Sequence, residues 1–134
     1  MTFREVTVRR VLYAAVLVML PMFALADQSI SGQWQSKPGH GVIIVMDILV
    51  DGHWSSETVQ NNKVVATMAG TYEQTRTTDT TGKLVFKPIT SKTSAEHGAA
   101  QVEEDDYTLT GGGKVLRLVS GGDTTEYKRQ PLAK

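Results

Sequence analysis

The stretch that decides the fold class is 41-GVIIVMDILVDGHWSSETVQ-60, which we interpret as two strands joined at a tight turn. The dipeptide Asp51-Gly52 predicts a type I′ hairpin turn, because both central positions of that turn require a positive φ angle. Apolar and polar side chains alternate through part of this stretch, so Met46 and Trp54 fall on one face. Alternation with a period of two places one face of a sheet inside and the other in water. The stretch therefore predicts an antiparallel hairpin with a buried face.

Turn signals recur along the chain after residue 26, and runs rich in Val, Ile, Thr and Tyr separate them. Short strands between such turns indicate an all-β sandwich or barrel, and no segment after residue 26 has sustained helical periodicity. The polar segment Thr90–Gly98 is predicted to be a long loop. We predict eight strands: Ile30–Gln35, Gly41–Val50, His53–Gln60, Lys63–Glu73, Lys83–Ile89, Ala99–Thr110, Lys114–Val119 and Thr124–Arg129.

We expect these strands to close into an eight-stranded antiparallel up-and-down barrel, because an open sheet would expose two unpaired edges. A barrel of eight strands has either an interior filled by side chains or one small ligand cavity, and the sequence leaves both outcomes open. If a cavity exists, we expect Met and aromatic side chains of the strands to line it: Met46, Trp54, Met68, Tyr72, Phe86 and Tyr107.

The first 26 residues have the pattern of a secretory signal peptide. Arginines precede the apolar run Val11–Leu20, and the small-x-small sequence Ala24-Leu25-Ala26 follows it. The alternative is a retained membrane anchor, but the apolar run is shorter than the about 20 residues of a spanning helix. We therefore expect a signal helix in residues 1–26, cleavage after Ala26, a barrel domain in residues 27–134 and a periplasmic or secreted protein.

Composition excludes several classes of protein and site. The chain has 134 residues, 14 basic and 14 acidic side chains, and no cysteine. Balanced charge argues against a nucleic-acid-binding protein, which usually has a basic excess. Without cysteine the chain has no disulfide, no thiolate ligand for zinc and no thiol nucleophile. The histidines, His40, His53 and His97, lack the spacing of a metal site, so we predict no metal and no cofactor.

The run Glu103-Glu104-Asp105-Asp106 concentrates negative charge within one predicted strand. Consecutive strand residues point to opposite faces, so at most two of these carboxylates share a side. We interpret the run as a solvated strand edge or bulge, with cation binding as the alternative. No G-x-S-x-G motif occurs, and the sequence assembles no nucleophile, base and acid, so we predict that the protein is not an enzyme.

Two motifs at opposite ends of the predicted domain resemble those of lipocalins. Gly32-Gln33-Trp34 resembles the G-x-W sequence that opens the first strand of lipocalin barrels. The resemblance implies that a basic residue of the last strand packs over Trp34 and closes the barrel, with Arg129 as the first candidate and Lys128 as the second. Attraction between an aromatic face and a cation would stabilise such a pair by about 0.5 to 2 kcal/mol.

The motifs between these ends are similar in order to those of small bacterial lipocalin-like (calycin-type) barrels, which are exported and have no assigned function. The resemblance covers nearly all of residues 27–134, and it implies the fold more than the function, because such barrels serve unrelated functions. The matching motifs are Asp51-Gly52, Gly70-Thr71-Tyr72, Tyr107-Thr108-Leu109 and Leu116-Arg117-Leu118.

Two classes of function fit this fold. The first is an exported barrel that holds a small apolar or amphipathic molecule in its interior and removes that molecule from water. The alternative is a periplasmic protein-interaction module, such as a protease or hydrolase inhibitor, because small bacterial inhibitor barrels resemble this chain in size and also begin with a G-x-W segment. Its protein partner would contact Asp27–Ser31 or Thr90–Gly98. Neither class involves nucleic acid or, after signal cleavage, a membrane.

Overall fold

The computed structural model describes residues 29–93 and 101–131, apart from the side chain of Thr93, and these residues form eight β-strands. In this part of the chain no helix is long and apolar enough to cross a membrane. The predicted signal helix and cleavage point lie outside the described residues, and so do residues 94–98 of the predicted loop. The strands are β1 (Gly32–Gly39), β2 (Val42–Ile48), β3 (His53–Gln60), β4 (Lys63–Arg76), β5 (Thr81–Thr93), β6 (Glu103–Thr110), β7 (Val115–Ser120) and β8 (Asp123–Arg129).

Each strand pairs antiparallel with the next one along the chain, and β8 pairs with β1 to close a barrel. The predicted fold class, an eight-stranded antiparallel up-and-down barrel, is therefore confirmed. The seam between β1 and β8 is short, because its paired residues in the described chain are Trp34 with Arg129 and Gln35 with Lys128. A groove of about 570 Å³, lined mostly by polar side chains of both strands, lies beside this seam.

Inward-facing side chains form one hydrophobic core, as the alternation in the sequence predicts. Partly buried Ile44, Met68 and Tyr72 pack against it. Burial of a large apolar side chain contributes roughly 1.5–3 kcal/mol to stability, so this core is the main source of stability in a chain without disulfides. The buried members are Ile30, Trp34, Met46, Ile48, Trp54, Leu84, Phe86, Tyr107, Leu109, Leu116, Leu118 and Tyr127.

The loop between β2 and β3 corrects the predicted turn at Asp51-Gly52. Strand β2 ends at Ile48, and within the loop only Gly52 has a positive φ, of 95°. The amide of Gly52 donates to the carbonyl of Leu49 at 3.2 Å, and the Asp51 carboxylate accepts from the amide of His53 at 3.0 Å. The type I′ prediction is therefore wrong, because Asp51 lacks the positive φ that this turn requires and accepts a hydrogen bond through its side chain instead. Consecutive positive φ angles occur instead at Gly39-His40-Gly41, Asn61-Asn62, Gly111-Gly112-Gly113 and Gly121-Gly122.

Strand β5 continues to Thr93, so the predicted loop Thr90–Gly98 is wrong for residues 90–93. These polar residues pair with Ala66–Ala69 of β4. The register shifts between Ala69 and Gly70, and a Cβ at Gly70 would overlap the backbone of β5. Glycine at this position permits the close approach of the two strands. The extension of β5 thus depends on its partner strand more than on its own sequence.

Candidate ligand cavity

Trp34 and Arg129 close the end of the barrel at which β1 begins. Trp34 is 0 % exposed, and its indole Nε1 donates a 2.8 Å hydrogen bond to the carbonyl of Ile30. The guanidinium carbon of Arg129 lies 4.3 Å from the centre of the Trp34 ring, which is within the range of a cation–π contact. Lys128, the second candidate, is exposed. The structure therefore brings together the two residues that the lipocalin resemblance pairs.

Hydrogen bonds hold the guanidinium of Arg129 in this position. It donates to the carbonyl oxygens of Ser29 at 2.6 Å, Ser31 at 2.7 Å and Gly113 at 2.8 Å. These bonds connect β8 to the segment before β1 and to the turn between β6 and β7. A Cβ at Gly32 would lie 2.8 Å from a guanidinium nitrogen, so the glycine of the G-x-W motif leaves room for the arginine.

The interior beyond this end contains a cavity of about 500 Å³. The barrel is therefore partly hollow, and the volume lies within the roughly 300–1,000 Å³ of small-molecule pockets. Side chains from seven strands, β2 to β8, contribute to its wall. The apolar part of the wall consists of Ile44, Met46, Trp54, Met68, Phe86, Pro88 and Leu118, and the polar part of Ser56, Thr58, Ser91, Gln101, Glu103 and Tyr127.

Four of the six predicted lining residues, Met46, Trp54, Met68 and Phe86, lie on this wall, whereas Tyr72 and Tyr107 do not. The hydroxyl of Tyr72 donates to the carbonyl of Leu49 at 2.6 Å, next to the β2–β3 loop. The hydroxyl of Tyr107 accepts from the side-chain amide of Gln74 at 2.7 Å, and the residue is 2 % exposed. Both rings pack in the core, because a buried tyrosine settles where its hydroxyl finds a partner.

Trp54 and Phe86 form an aromatic corner of the cavity wall. Their ring centres are 5.0 Å apart, and the planes meet at 69° in an edge-to-face arrangement. The indole Nε1 of Trp54 donates a 2.8 Å hydrogen bond to the carbonyl of Thr71. Because the rings of β3 and β5 pack against each other across β4, and Trp54 is also hydrogen-bonded to β4, this part of the wall is formed before any ligand arrives.

The acidic run on β6 is divided between the two faces of the strand. Asp105 is 2 % exposed, and Glu103, on the same side, is exposed but lines the cavity. Glu104 and Asp106 face outward, at 3.5 Å and 3.8 Å from the ammonium of Lys83. The interpretation of the run as a solvated edge is therefore wrong for Asp105.

Sequence reasoning missed the acidic residues of the interior, although a signal for them was present. Glu103 and Asp105 have the same strand parity as Tyr107 and Leu109, which are both buried. The general tendency of carboxylates to lie in water conflicts here with this alternation. Parity alone would have placed both acids on the inner face.

The environment of Asp105 favours its protonated form. Burial raises the pKa of Asp105 from 3.8 to about 7, and a hydrogen bond with Glu103 and the charge of Glu103 act in the same direction. A hydrogen bond with Ser120 acts in the opposite direction. Burial also raises the pKa of Tyr127 to about 12, and the charges of Glu103 and Asp105 add to that effect. The carboxyls of Glu103 and Asp105 and the hydroxyl of Tyr127 therefore lie close together on one side of the interior.

The segment before β1 belongs to the barrel. Ile30 is 2 % exposed and is part of the core, and the carbonyls of Ser29 and Ser31 accept hydrogen bonds from Arg129. Residues 29–31 of the predicted partner segment Asp27–Ser31 therefore already have a structural role. Deletion of this segment would disturb the closed end, so it would not isolate a partner site.

Within residues 29–93 and 101–131, no three His, Asp or Glu side chains are grouped so that they could hold a metal ion. Comparison of the chain with protein-family models, with curated proteins and with solved structures found no match. The function is therefore argued from the cavity itself.

Proposed function

We propose that this protein is an exported, lipocalin-like binding protein that holds one small apolar or amphipathic molecule inside its barrel. The observation that carries the proposal is the cavity of about 500 Å³, which lies in a closed barrel and has an apolar wall from several strands. Pockets of this kind bind ligands mainly by removing apolar surface from water, and a few polar groups orient the ligand. The more polar groove at the seam lacks such a wall.

The apolar side chains would receive the body of the ligand. Met46 and Met68 are unbranched and adapt to different shapes, whereas Trp54 and Phe86 are held rigidly. The polar groups Gln101 and Glu103 would meet the more hydrated part of the ligand, because both are exposed and line the cavity. Binding in this arrangement breaks no bond in the ligand, so we propose a binding protein and not an enzyme.

Export is supported by the sequence of residues 1–26, with its positive start, apolar run and small-x-small end. We propose that the barrel works in the periplasm or outside the cell. N-terminal sequencing of protein recovered from the exported fraction should begin at Asp27, whereas a sequence beginning at Met1 would contradict cleavage.

Displacement of a neutral fluorescent dye tests binding in the cavity. N-phenyl-1-naphthylamine should bind the purified protein with one-to-one saturation, because its uncharged rings fit an apolar pocket of this size. The variant Ser56→Leu places a larger side chain into the cavity and should weaken dye binding by about tenfold or more. The matched control is Ser55→Leu, since Ser55 is adjacent in β3 but does not line the cavity.

Two results would contradict the proposal. One is no saturable dye binding by folded wild-type protein. The other is an equal loss of dye binding in the Ser55→Leu and Ser56→Leu variants, with both still folded by circular dichroism. The first result would mean that the interior does not accept the dye, and the second that the dye does not bind at the cavity wall.

A further inference from the structure

The charge on the described part of the cavity wall is negative. Among the described residues, the wall contains the carboxylate of Glu103 and neither lysine nor arginine. Glu103 is exposed and lies beside Gln101 and Tyr127, so it stands where a ligand's polar end can stay in contact with water. A low-dielectric wall strengthens the potential of such a charge inside a cleft.

A second carboxyl group, that of Asp105, lies close to Glu103 and has one oxygen atom without a hydrogen-bond partner in the described part of the chain. Asp105 lies one inward position further along β6, hydrogen-bonds with Glu103 and is 2 % exposed. Its Oδ1 has no hydrogen-bond partner in the described part of the chain. A buried polar atom without a partner is costly, and natural structures usually supply a donor. Asp105 does not line the cavity itself, so this carboxyl acts on a ligand through its neighbour Glu103, which does.

Aromatic rings surround the same space. Trp54, Phe86 and Tyr127 contribute to the wall, and the carboxylates of Glu103 and Asp105 are near enough to raise the pKa of Tyr127. The faces of aromatic rings attract cations, most strongly where water is excluded. The aromatic rings and the carboxyl groups therefore both favour a ligand with a positive charge.

We infer that the cavity binds an apolar cation, a primary amine or ammonium group attached to an alkyl or aromatic body, with the positive group beside the carboxylate of Glu103. This inference rests on the proposed function, since it assigns a chemical class to the ligand of the same cavity. The ammonium donates a hydrogen bond to the carboxylate of Glu103, the nearby carboxyl of Asp105 adds to the attraction, and the body fills the space between Met46, Met68 and Trp54. A fatty acid would place its carboxylate next to two acids, so it is disfavoured.

Binding of a cation is linked to proton release from Asp105. A positive charge beside the carboxyl favours its ionised form, so affinity for the amine rises with pH through the range in which free Asp105 titrates. The groups that act on Asp105 are Glu103 on the inner face and Asp106 on the outer face of β6, Ser120 on β7 and Tyr127 on β8, while the residue paired with it on β5 is the uncharged Leu84.

Three ligands of equal chain length separate charge from apolar contact: decylamine, decanol and decanoate. Their dissociation constants are measured by calorimetry at about pH 8, where the amine remains protonated and Asp105 is largely ionised. We expect decylamine to bind about tenfold more tightly than decanoate, with decanol between them. Between about pH 5 and about pH 8, affinity for decylamine should rise while that for decanol stays constant.

Two variants test whether Glu103 and Asp105 cause the preference for decylamine over decanol. Glu103→Gln and Asp105→Asn should each reduce the preference for decylamine over decanol several-fold, with decanol affinity retained. Asp105→Asn should also remove the pH dependence of amine binding. The matched control is Glu104→Gln, which removes an equal charge from the outer face of β6 and should change none of these values.

The outcomes distinguish this inference from the proposed function. Decanol binding equal to decylamine binding, with no effect of either inner variant, would overturn the cationic ligand while leaving a small-molecule barrel. Tighter binding of decanoate would overturn it too. If none of the three ligands binds and the neutral dye does not bind either, the results contradict the proposed function and, with it, the inference of a cationic ligand.

Discussion

At the scale of single residues, Asp105 couples the stability of the barrel to pH. Its pKa is about 7 in the folded protein against a usual value of 3.8, chiefly because the carboxyl is buried. Between these values the folded protein holds a proton on Asp105 that an unfolded chain has released. Folding is therefore favoured less as pH rises, which is opposite to the usual effect of a salt-bridged aspartate.

We predict that the free energy of unfolding of the wild type falls between about pH 4 and about pH 7, by up to about 4 kcal/mol for a pKa difference of roughly three pH units. Urea unfolding at a series of pH values measures this fall. The variant Asp105→Asn should show a much smaller fall, because asparagine does not titrate. The control Glu104→Gln should behave as the wild type, since Glu104 is exposed and is not among the groups that shift the pKa of Asp105. An unchanged pH profile in Asp105→Asn would refute the assignment.

Arg129 gives a second prediction at this scale. Lysine could retain the charge over Trp34 but not the hydrogen bonds to three separate carbonyls, because those bonds need the planar fork of a guanidinium. Arg129→Lys should therefore lower the free energy of unfolding by about 2 kcal/mol. The control is Arg117→Lys, whose arginine pairs with Glu126 at the surface, 3.0 Å away, and should cost about 0.5 kcal/mol or less. Equal losses in the two variants would show that the guanidinium bonds do not stabilise the closed end.

At the scale of elements, the strands could be predicted where alternation and turn residues agree. Strand β3 has the predicted bounds, His53–Gln60, because Asp51-Gly52 precedes it and Asn61-Asn62 follows it. Strand β5 could not be predicted in full, since Thr90–Thr93 are polar and become a strand only through pairing with β4. Pairing between strands is a tertiary interaction, and neither propensity nor alternation shows it in one segment.

The candidate site was partly predictable for a similar reason. Alternation gave the inner faces, and size and hydrophobicity gave Met46, Trp54, Met68 and Phe86. Alternation could not distinguish residues that line the cavity from residues that pack in the core. Tyr107 packs in the core because its hydroxyl accepts a hydrogen bond from Gln74 of β4, which is far away in the sequence. The buried position of Asp105 follows from the alternation but conflicts with the general exposure of carboxylates, so composition alone does not predict it. Interior polar groups are thus found by strand parity more reliably than by composition.

At the scale of the whole molecule, the barrel is a ring of antiparallel ladders with one short seam. The ladder between β1 and β8 has two residue pairs, both close to the end that Trp34 and Arg129 close, and every other ladder is longer. The amide of Arg129 donates to the carbonyl of Lys114 on the β7 side, at 2.8 Å. Because successive amides of a strand point to opposite sides, the amides two and four residues earlier also face β7.

The seam should open more readily than the rest of the barrel, and hydrogen exchange measures this within β8 alone. The amides of Thr125 and Tyr127 face β7 and its continuous ladder, whereas those of Thr124 and Glu126 face the seam, where no residue of β1 in the described chain pairs with them. We predict that Thr124 and Glu126 exchange at least about tenfold faster than Thr125 and Tyr127. The two sets alternate along one strand, so a difference in local solvent exposure at the strand ends cannot produce this result. Equal protection of both sets would mean that β1 covers β8 along its whole length and that the seam is not the weakest part of the ring.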